Sequence, residues 1–349
     1  MPITNSHEFF IQWHLTERCN LRCSHCYQTG GRSEELSLAE ISSVVDEVSG
    51  MLDTWSEVYG ISFSRSMSVT GGEPFLRDDL PDVLEAIGGG GFDLYLLSNG
   101  TLIDEKRAAM LSRLSVKGVQ VSMEGPEEVH DSIRGKGSFS SSLKGIRHLL
   151  DAGLRVTMNA TLSGLNAGRF TELVDLARSL GVQRLGFSRL VPSGRGLGLI
   201  DRMIGKEEVE RIYKEIFSLQ SEGPEVVTGD PVASQLIASV DADAGDVATG
   251  GCAAGLSGLT FLPDGTIVPC RRLFMPIGNV RKDRIREVWA MSPVLEALRD
   301  RTRYKGRCGR CMRWAVCRGC RAIAYAFSHA TGEGDMLAED PQCCIGEGR

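Results

Sequence analysis

The chain opens without a secretory signal: Met-Pro-Ile-Thr-Asn-Ser-His-Glu has neither a basic start nor an apolar core. It has no apolar run long enough to span a bilayer. Positive charge is not in excess either. The 349 residues carry a formal net charge of -6, which argues against a general nucleic-acid binder. Internal repeats and long low-complexity tracts are missing, and no cysteine lies between Cys26 and Cys252. These absences leave a globular chain with no membrane or nucleic-acid partner. Eleven cysteines in such a chain point to metal or redox chemistry in a reducing cytoplasm rather than to disulfides.

An apolar fraction of 42% is enough to bury a sizeable core. Strand-like and helix-like segments alternate from Phe9 onward. Strands are predicted near residues 9–15, 66–70, 93–98, 118–123, 155–162 and 183–190, and each is followed by a helical pattern. Ser37-Leu-Ala-Glu40 is a capping box that opens the first helix. Six such units in a row imply parallel strands with helices outside, as an open sheet or a partial barrel. Active sites in these folds collect at the C-terminal ends of the strands. After Gln220 the texture changes, and 221–251 reads as a linker with a short helix around 231–240. The expected organisation is an α/β barrel domain over 1–220, then a linker and a small cysteine-rich domain over 221–349.

Cys19, Cys23 and Cys26 follow the first predicted strand as Cys-x3-Cys-x2-Cys. Three thiolates on one loop can hold three irons of a cubane and leave the fourth iron open, as a catalytic metal site requires. Buried free thiols, or a zinc site short of one ligand, are the alternatives. The spacing and its flanks resemble the radical S-adenosylmethionine (SAM) enzymes. That resemblance implies a partial (β/α)6 TIM-like barrel and a [4Fe-4S] cluster whose open iron binds SAM. Reductive cleavage of SAM would then give a 5′-deoxyadenosyl radical, with the electron from a flavodoxin- or ferredoxin-type donor.

The same resemblance assigns expected roles along the barrel. Gly71, Gly72 and Glu73, in Gly-Gly-Glu-Pro, would contact the SAM amino group. Ser98 and Asn99 would line the pocket, Ser122 would meet a ribose hydroxyl, and Arg134 would meet the methionine carboxylate. Asn159 would add a SAM contact, Leu190 would pack on adenine, and Tyr27 would pack on the cluster or adenine. Glu124, Arg189 and Arg271 are the candidates for substrate-side chemistry. His25, between two of the cysteines, is not expected to be a ligand.

The remaining cysteines are Cys252, Cys270, Cys308, Cys311, Cys317, Cys320, Cys343 and Cys344. Leu262-Pro-Asp-Gly265 reads as a hairpin turn between the first two. Zinc-ribbon-like sites share the Cys-x2-Cys spacing. The arrangement resembles the SPASM domain, which implies two auxiliary iron-sulfur clusters. By that resemblance the first would take Cys252, Cys270 and Cys320. The second would take Cys308, Cys311, Cys317 and either Cys343 or Cys344.

The family implies a peptide or protein substrate and a maturase that forms a crosslink or an oxidised residue. Anaerobic sulfatase maturation and haem or tetrapyrrole modification are the alternatives. Sulfatase-maturing relatives place an acidic residue directly after the second SPASM cysteine, where this chain has Arg271 and Arg272. A non-catalytic iron-sulfur carrier would not need Gly71 to Pro74. With the first strand starting near Phe9, leader-peptide binding would fall to a separate protein.

Overall fold

The computed structural model describes residues 6–28, 34–218, 223–237 and 248–344. Strand β1, Ser6–His14, alternates in burial partners as a pleated strand must. Phe9, Ile11 and Trp13 enter the main apolar core, and the buried polar side chains of Gln12 and His14 take the other face. Phe9 packs edge-on against Trp55 and Trp289. Helix α1, Leu38–Tyr59, begins with the expected capping box: the Glu40 carboxylate accepts from the Ser37 N–H at 2.8 Å, and Ser37 Oγ accepts from the Glu40 N–H at 3.3 Å.

The strands that follow are β2 (Ser62–Thr70), β3 (Asp93–Ser98), β4 (Gly118–Ser122), β5 (Val156–Leu162) and β6 (Arg184–Arg189). Each pairs in parallel with the one before it. The helices between them are α2 (Leu80–Gly89), α3 (Glu105–Arg113), α4 (Glu127–Arg134), α5 (Ser138–Asp151) and α6 (Phe170–Leu180), and α7 (Lys206–Ser218) follows β6. The six expected units are present. Helix α4 is not among the expected helices, because its two turns are rich in acidic and basic side chains and carry only a weak apolar stripe.

The sheet does not stop at residue 220. Strand β7, Glu225–Val227, lies in the expected linker and pairs in parallel with β6. The short helix is Ser234–Ile237, preceded by a 3-10 turn at Pro231–Ala233. The rest of the span expected for it, 238–240, lies outside the described residues. At the opposite edge β8, Gly258–Phe261, pairs in parallel with β1, and β9 (Thr266–Val268) and β10 (Gly278–Asn279) extend the sheet antiparallel. The described order is β10-β9-β8-β1-β2-β3-β4-β5-β6-β7. A side chain at Gly258 would bring its Cβ within 1.8 Å of the Phe10 carbonyl, so only glycine allows this approach. Segments on both sides of residue 220 thus build one sheet. The Leu262–Gly265 hairpin turn forms as read, with Gly265 at φ 84°.

Candidate active site

The cysteine loop leaves β1 and is tied down by the chain that leaves β2. The Gly72 N–H donates to the Thr16 carbonyl at 2.7 Å and the Glu73 N–H to the Arg18 carbonyl at 2.8 Å. A Cβ on Gly71 or Gly72 would stand 2.5 Å from the Thr16 carbonyl or 2.2 Å from that of Arg18. The two glycines line a cavity of about 460 Å³, and their small size also seats the cysteine loop. Glu73 corrects its expectation. Its carboxylate is fully buried, accepts from Ser98 Oγ at 2.9 Å and the Asn99 N–H at 2.9 Å, and does not line the cavity. Burial pushes its pKa up to about 7.

Cys19, Cys23 and Cys26 all line the cavity, with Ser98, Asn99, Ser122, Arg134 and Asn159 around them. Arg134 Nη1 lies 3.7 Å from Cys23 Sγ, and Asn99 Nδ2 lies 3.9 Å from Cys19 Sγ. Burial pushes the Cys19 and Cys23 thiols up, and Arg134 opposes this at Cys23. Tyr27 also lines the cavity. Its hydroxyl is 3.3 Å from His14 Nε2, and burial pushes it up to about 12. Burial and the charge of Arg271 hold His14 down at about 3, so its imidazole is neutral.

Three substrate-side and adenine-side expectations change. Glu124 is buried behind Arg134, which donates to it through Nε at 2.9 Å and Nη2 at 2.6 Å. The Thr161 N–H at 2.8 Å, His25 Nε2 at 3.2 Å and Asn166 Nδ2 at 3.4 Å also meet it. Burial alone would raise its pKa, yet Arg134 and His25 hold it well below the usual carboxylate range. Glu124 is not among the residues that line the cavity, and its carboxylate braces Arg134, which is. Arg189 is fully buried and gripped by Asp230 at 2.6 Å and 2.9 Å, by Asp340 at 2.9 Å and 2.8 Å, and by Gln342 at 3.1 Å. Arg189 also lines the cavity. Leu190 is buried and lies off the cavity, and Val191 lines it instead.

Arg271 lines the cavity as expected and donates to Gln12 Oε1 at 2.5 Å. Sequence reasoning passed over Gln12, His14 and Arg195, and noted Arg272 without giving it a role in the site. Arg195 Nε donates to the Cys23 carbonyl at 2.9 Å, and Arg272 Nη1 to the Arg189 carbonyl at 3.3 Å. Both arginines line the cavity. The polar alternation of Gln12 and His14 within an apolar strand was the available signal. Among the described residues, Arg195, Arg271 and Arg272 form no ion pair with a carboxylate, although Asp230 lies close enough to act on Arg272.

The C-terminal cysteines fall into two groups. Arg272 feels the charge of both Cys270 and Cys320, and Cys320, pushed up to about 12 by burial, feels that of Cys252. In the other group, Gly319 donates its N–H to Cys317 Sγ at 3.4 Å, and a Cβ on it would lie 3.3 Å from Cys308 Sγ. Cys343 acts on Cys308, whereas the neighbours of Cys344 are Cys343 and Glu210. Cys343 is buried and lies close enough to Cys308 to act on its thiol. Cys311 lies at the C-cap of the short helix Gly306–Arg310 that carries Cys308. Among the described residues no three Cys, His, Asp or Glu side chains converge on a single metal ion. Cubanes need no such convergence, since each thiolate binds a different iron. The idle buried N–H of Arg272 Nε, near Cys270 and Cys320, and those of Arg318 and Trp314 nearby suit the sulfides of such clusters.

The model of the Radical SAM superfamily matches residues 13–177, and that of an iron-sulfur cluster-binding domain, SPASM, matches 252–321. An AdoMet-dependent heme synthase from Nitratidesulfovibrio vulgaris is 31% identical over 95% of this chain and 91% of its own length. One from Methanosarcina barkeri is 31% identical over 97% of both. The mycofactocin maturase MftC of Mycolicibacterium smegmatis is 28% identical over 97% of this chain and 83% of its own. The fold matches Streptococcus suis SuiB bound to S-adenosylmethionine with a TM-score of 0.75 at 17% identity, covering 97% of this chain and 78% of that one. It matches native anSMEcpe with bound AdoMet with a TM-score of 0.71 at 18% identity, covering 96% of this chain and 94% of that one.

Proposed function

The chain belongs to the radical SAM superfamily and carries a SPASM iron-sulfur domain, and from that premise we propose that it acts on a carboxylate-bearing tetrapyrrole in heme synthesis. The observation that carries this reading is the set of cavity arginines, Arg195, Arg271 and Arg272, which have no carboxylate partner among the described residues. Guanidinium forks match carboxylates in charge and geometry, and the tetrapyrroles of heme synthesis carry several carboxylates on one rigid disc. The near full-length similarity to two AdoMet-dependent heme synthases supports the same substrate class.

Cys19, Cys23 and Cys26 would hold three irons of the catalytic cluster, and with SAM it supplies a 5′-deoxyadenosyl radical that takes a hydrogen atom from the substrate. On this side of the cavity Arg134, braced by Glu124, is set to hold the SAM carboxylate. Ser122 and Asn159, paired across β4 and β5, face the same space. On the far side Arg271 is held by Gln12, and Arg272 by the Arg189 carbonyl. These two take the place of an acidic base and would orient anionic side chains toward the radical.

Peptide maturation, our expectation from the sequence, is the second reading. The 28% identity to a mycofactocin maturase favours it. The two readings separate in one anaerobic assay with reconstituted enzyme, SAM and dithionite. Iron coproporphyrin III is expected to stimulate 5′-deoxyadenosine release and to lose mass, and Arg271→Gln is expected to raise its KM about tenfold. Lack of any porphyrin change would overturn the tetrapyrrole reading.

A further inference from the structure

Between the two groups of C-terminal cysteines lies a buried cationic feature that the proposed reaction does not use. Arg318 occupies the short turn from Cys317 to Cys320, with φ at 62° and 1% of its surface exposed. A left-handed backbone is uncommon for any residue but glycine. Arg318 Nη2 turns back onto the carbonyls of Cys252 and Gly250. By distance and angle its Nε and Nη1 make no hydrogen bond among the described residues, and neither does Nε1 of Trp314, although the Tyr304 hydroxyl lies close enough to Arg318 to be stabilised by it. The Arg318 guanidinium lies 5.9 Å from the centre of the Trp314 ring.

Arg321 is equally buried. Its Nη2 donates to Cys308 Sγ at 3.6 Å, and its guanidinium lies 5.0 Å from the centre of the Tyr304 ring. The charge of Arg321 is felt by Cys308, and Arg321 in turn feels Cys252. One buried guanidinium thus reaches the carbonyl of Cys252 and the other the sulfur of Cys308.

A buried cation with idle N–H groups is costly unless an acceptor meets them. The acceptors that the surrounding cysteines bring are anionic sulfurs. A thiolate-bound cubane is negatively charged and gains one more negative charge on one-electron reduction. Hydrogen bonds to its sulfurs and nearby positive charge favour the reduced form. We propose that Arg318, seconded by Arg321 at Cys308, donates its unclaimed N–H groups to sulfur of the auxiliary clusters and raises their reduction potential. This rests on the SPASM cluster assignment and not on the identity of the substrate.

The test uses the full chain with Cys19, Cys23 and Cys26 replaced by Ala, so that only auxiliary clusters contribute. Iron is counted first, with about eight atoms expected for two cubanes. Midpoint potentials then follow from a redox titration monitored by electron paramagnetic resonance. Arg318→Gln removes the charge and Arg318→Lys keeps it but loses the guanidinium fork. Both retain a Cβ, so the left-handed turn is equally strained in all three. With iron retained, Arg318→Gln is expected to weaken reduction of at least one cluster tenfold, a downward shift of about 59 mV for one electron. Arg318→Lys is expected to shift it in the same direction by less. Unchanged midpoints in Arg318→Gln would mean that no cluster sulfur accepts from Arg318, and would overturn the proposal. If Arg318→Gln loses iron, Arg318→Lys decides, and an unchanged midpoint there overturns it. A parent protein without auxiliary iron would overturn the cluster assignment and this proposal together.

Discussion

Removing Arg189 is expected to cost more than any other single substitution in the barrel. Its guanidinium makes two hydrogen bonds to Asp230, two to Asp340 and one to Gln342, all buried. In Arg189→Met both carboxylates stay behind without a cation. Asp230 keeps the Tyr213 hydroxyl at 2.7 Å and Asp340 keeps the Cys320 N–H at 2.8 Å, which offsets only part of the loss. Breaking a buried pair from one side costs roughly 3–5 kcal/mol. Set against a typical total of about 5–15 kcal/mol, that is a third or more of the stability. The same contacts place residues 340–343 next to Cys320 and Cys308, so auxiliary iron should fall as well. Attraction to Arg189 holds both carboxyls below their usual range despite burial. The contribution is therefore present above the unfolded carboxyl pKa and is lost only as pH falls through the lower folded values. The assay is anaerobic urea unfolding followed by tryptophan fluorescence, with iron counted on the same samples. An Arg189→Met protein with the parent's unfolding midpoint and full iron would refute the reasoning. So would an Asp340→Asn, Arg189→Met pair whose effects simply add, because residues in one network should couple.

Two further outcomes concern carboxylates buried behind the cavity wall. Glu124→Gln weakens the brace on Arg134, and a hydrogen bond to a charged group is worth about 1.5–3 kcal/mol. The KM for SAM should therefore rise about tenfold or more, and an unchanged value would show that Arg134 does not depend on Glu124. Glu73 has its pKa raised by burial from 4.5 to about 7. The folded state then binds this proton more tightly than the unfolded chain does. The resulting stability is fully present below 4.5 and is lost as pH rises through about 7. Urea midpoints at pH 5 and pH 8 should differ less in Glu73→Gln than in the parent, and an identical pH dependence in both would contradict this.

What could be read from the sequence was local. The cysteine spacings, the six strand-helix units, the capping box at Ser37 and the hairpin turn at Gly265 depend on neighbours within a few residues, and all are present. The partners of several site residues were not legible, for a different reason. Arg189 ends a strand, a position that suggests a substrate-facing side chain, yet its partners lie 41 and 151 positions away. Glu124 sits at a strand end too, but the arginine that covers it comes from α4, an element the sequence pattern does not reveal. The pairing of β8 with β1 joins residues nearly 250 apart and hangs on one glycine. Neither propensity nor period reports contacts of that range. The choice between a peptide and a tetrapyrrole substrate was not legible either: the cavity arginines come from two distant segments, and only the folded chain brings them together.

The central claim is that the radical formed at the Cys19–Cys26 loop takes hydrogen from a carboxylate-bearing side chain of a tetrapyrrole. The most direct test follows that hydrogen. Iron coproporphyrin III deuterated on its propionate carbons is incubated anaerobically with the reconstituted enzyme, SAM and dithionite, and the 5′-deoxyadenosine is analysed by mass spectrometry. The account predicts a one-deuterium mass increase in 5′-deoxyadenosine, in step with loss of mass from the porphyrin. SAM cleavage that yields only unlabelled 5′-deoxyadenosine, with the porphyrin intact, would contradict it.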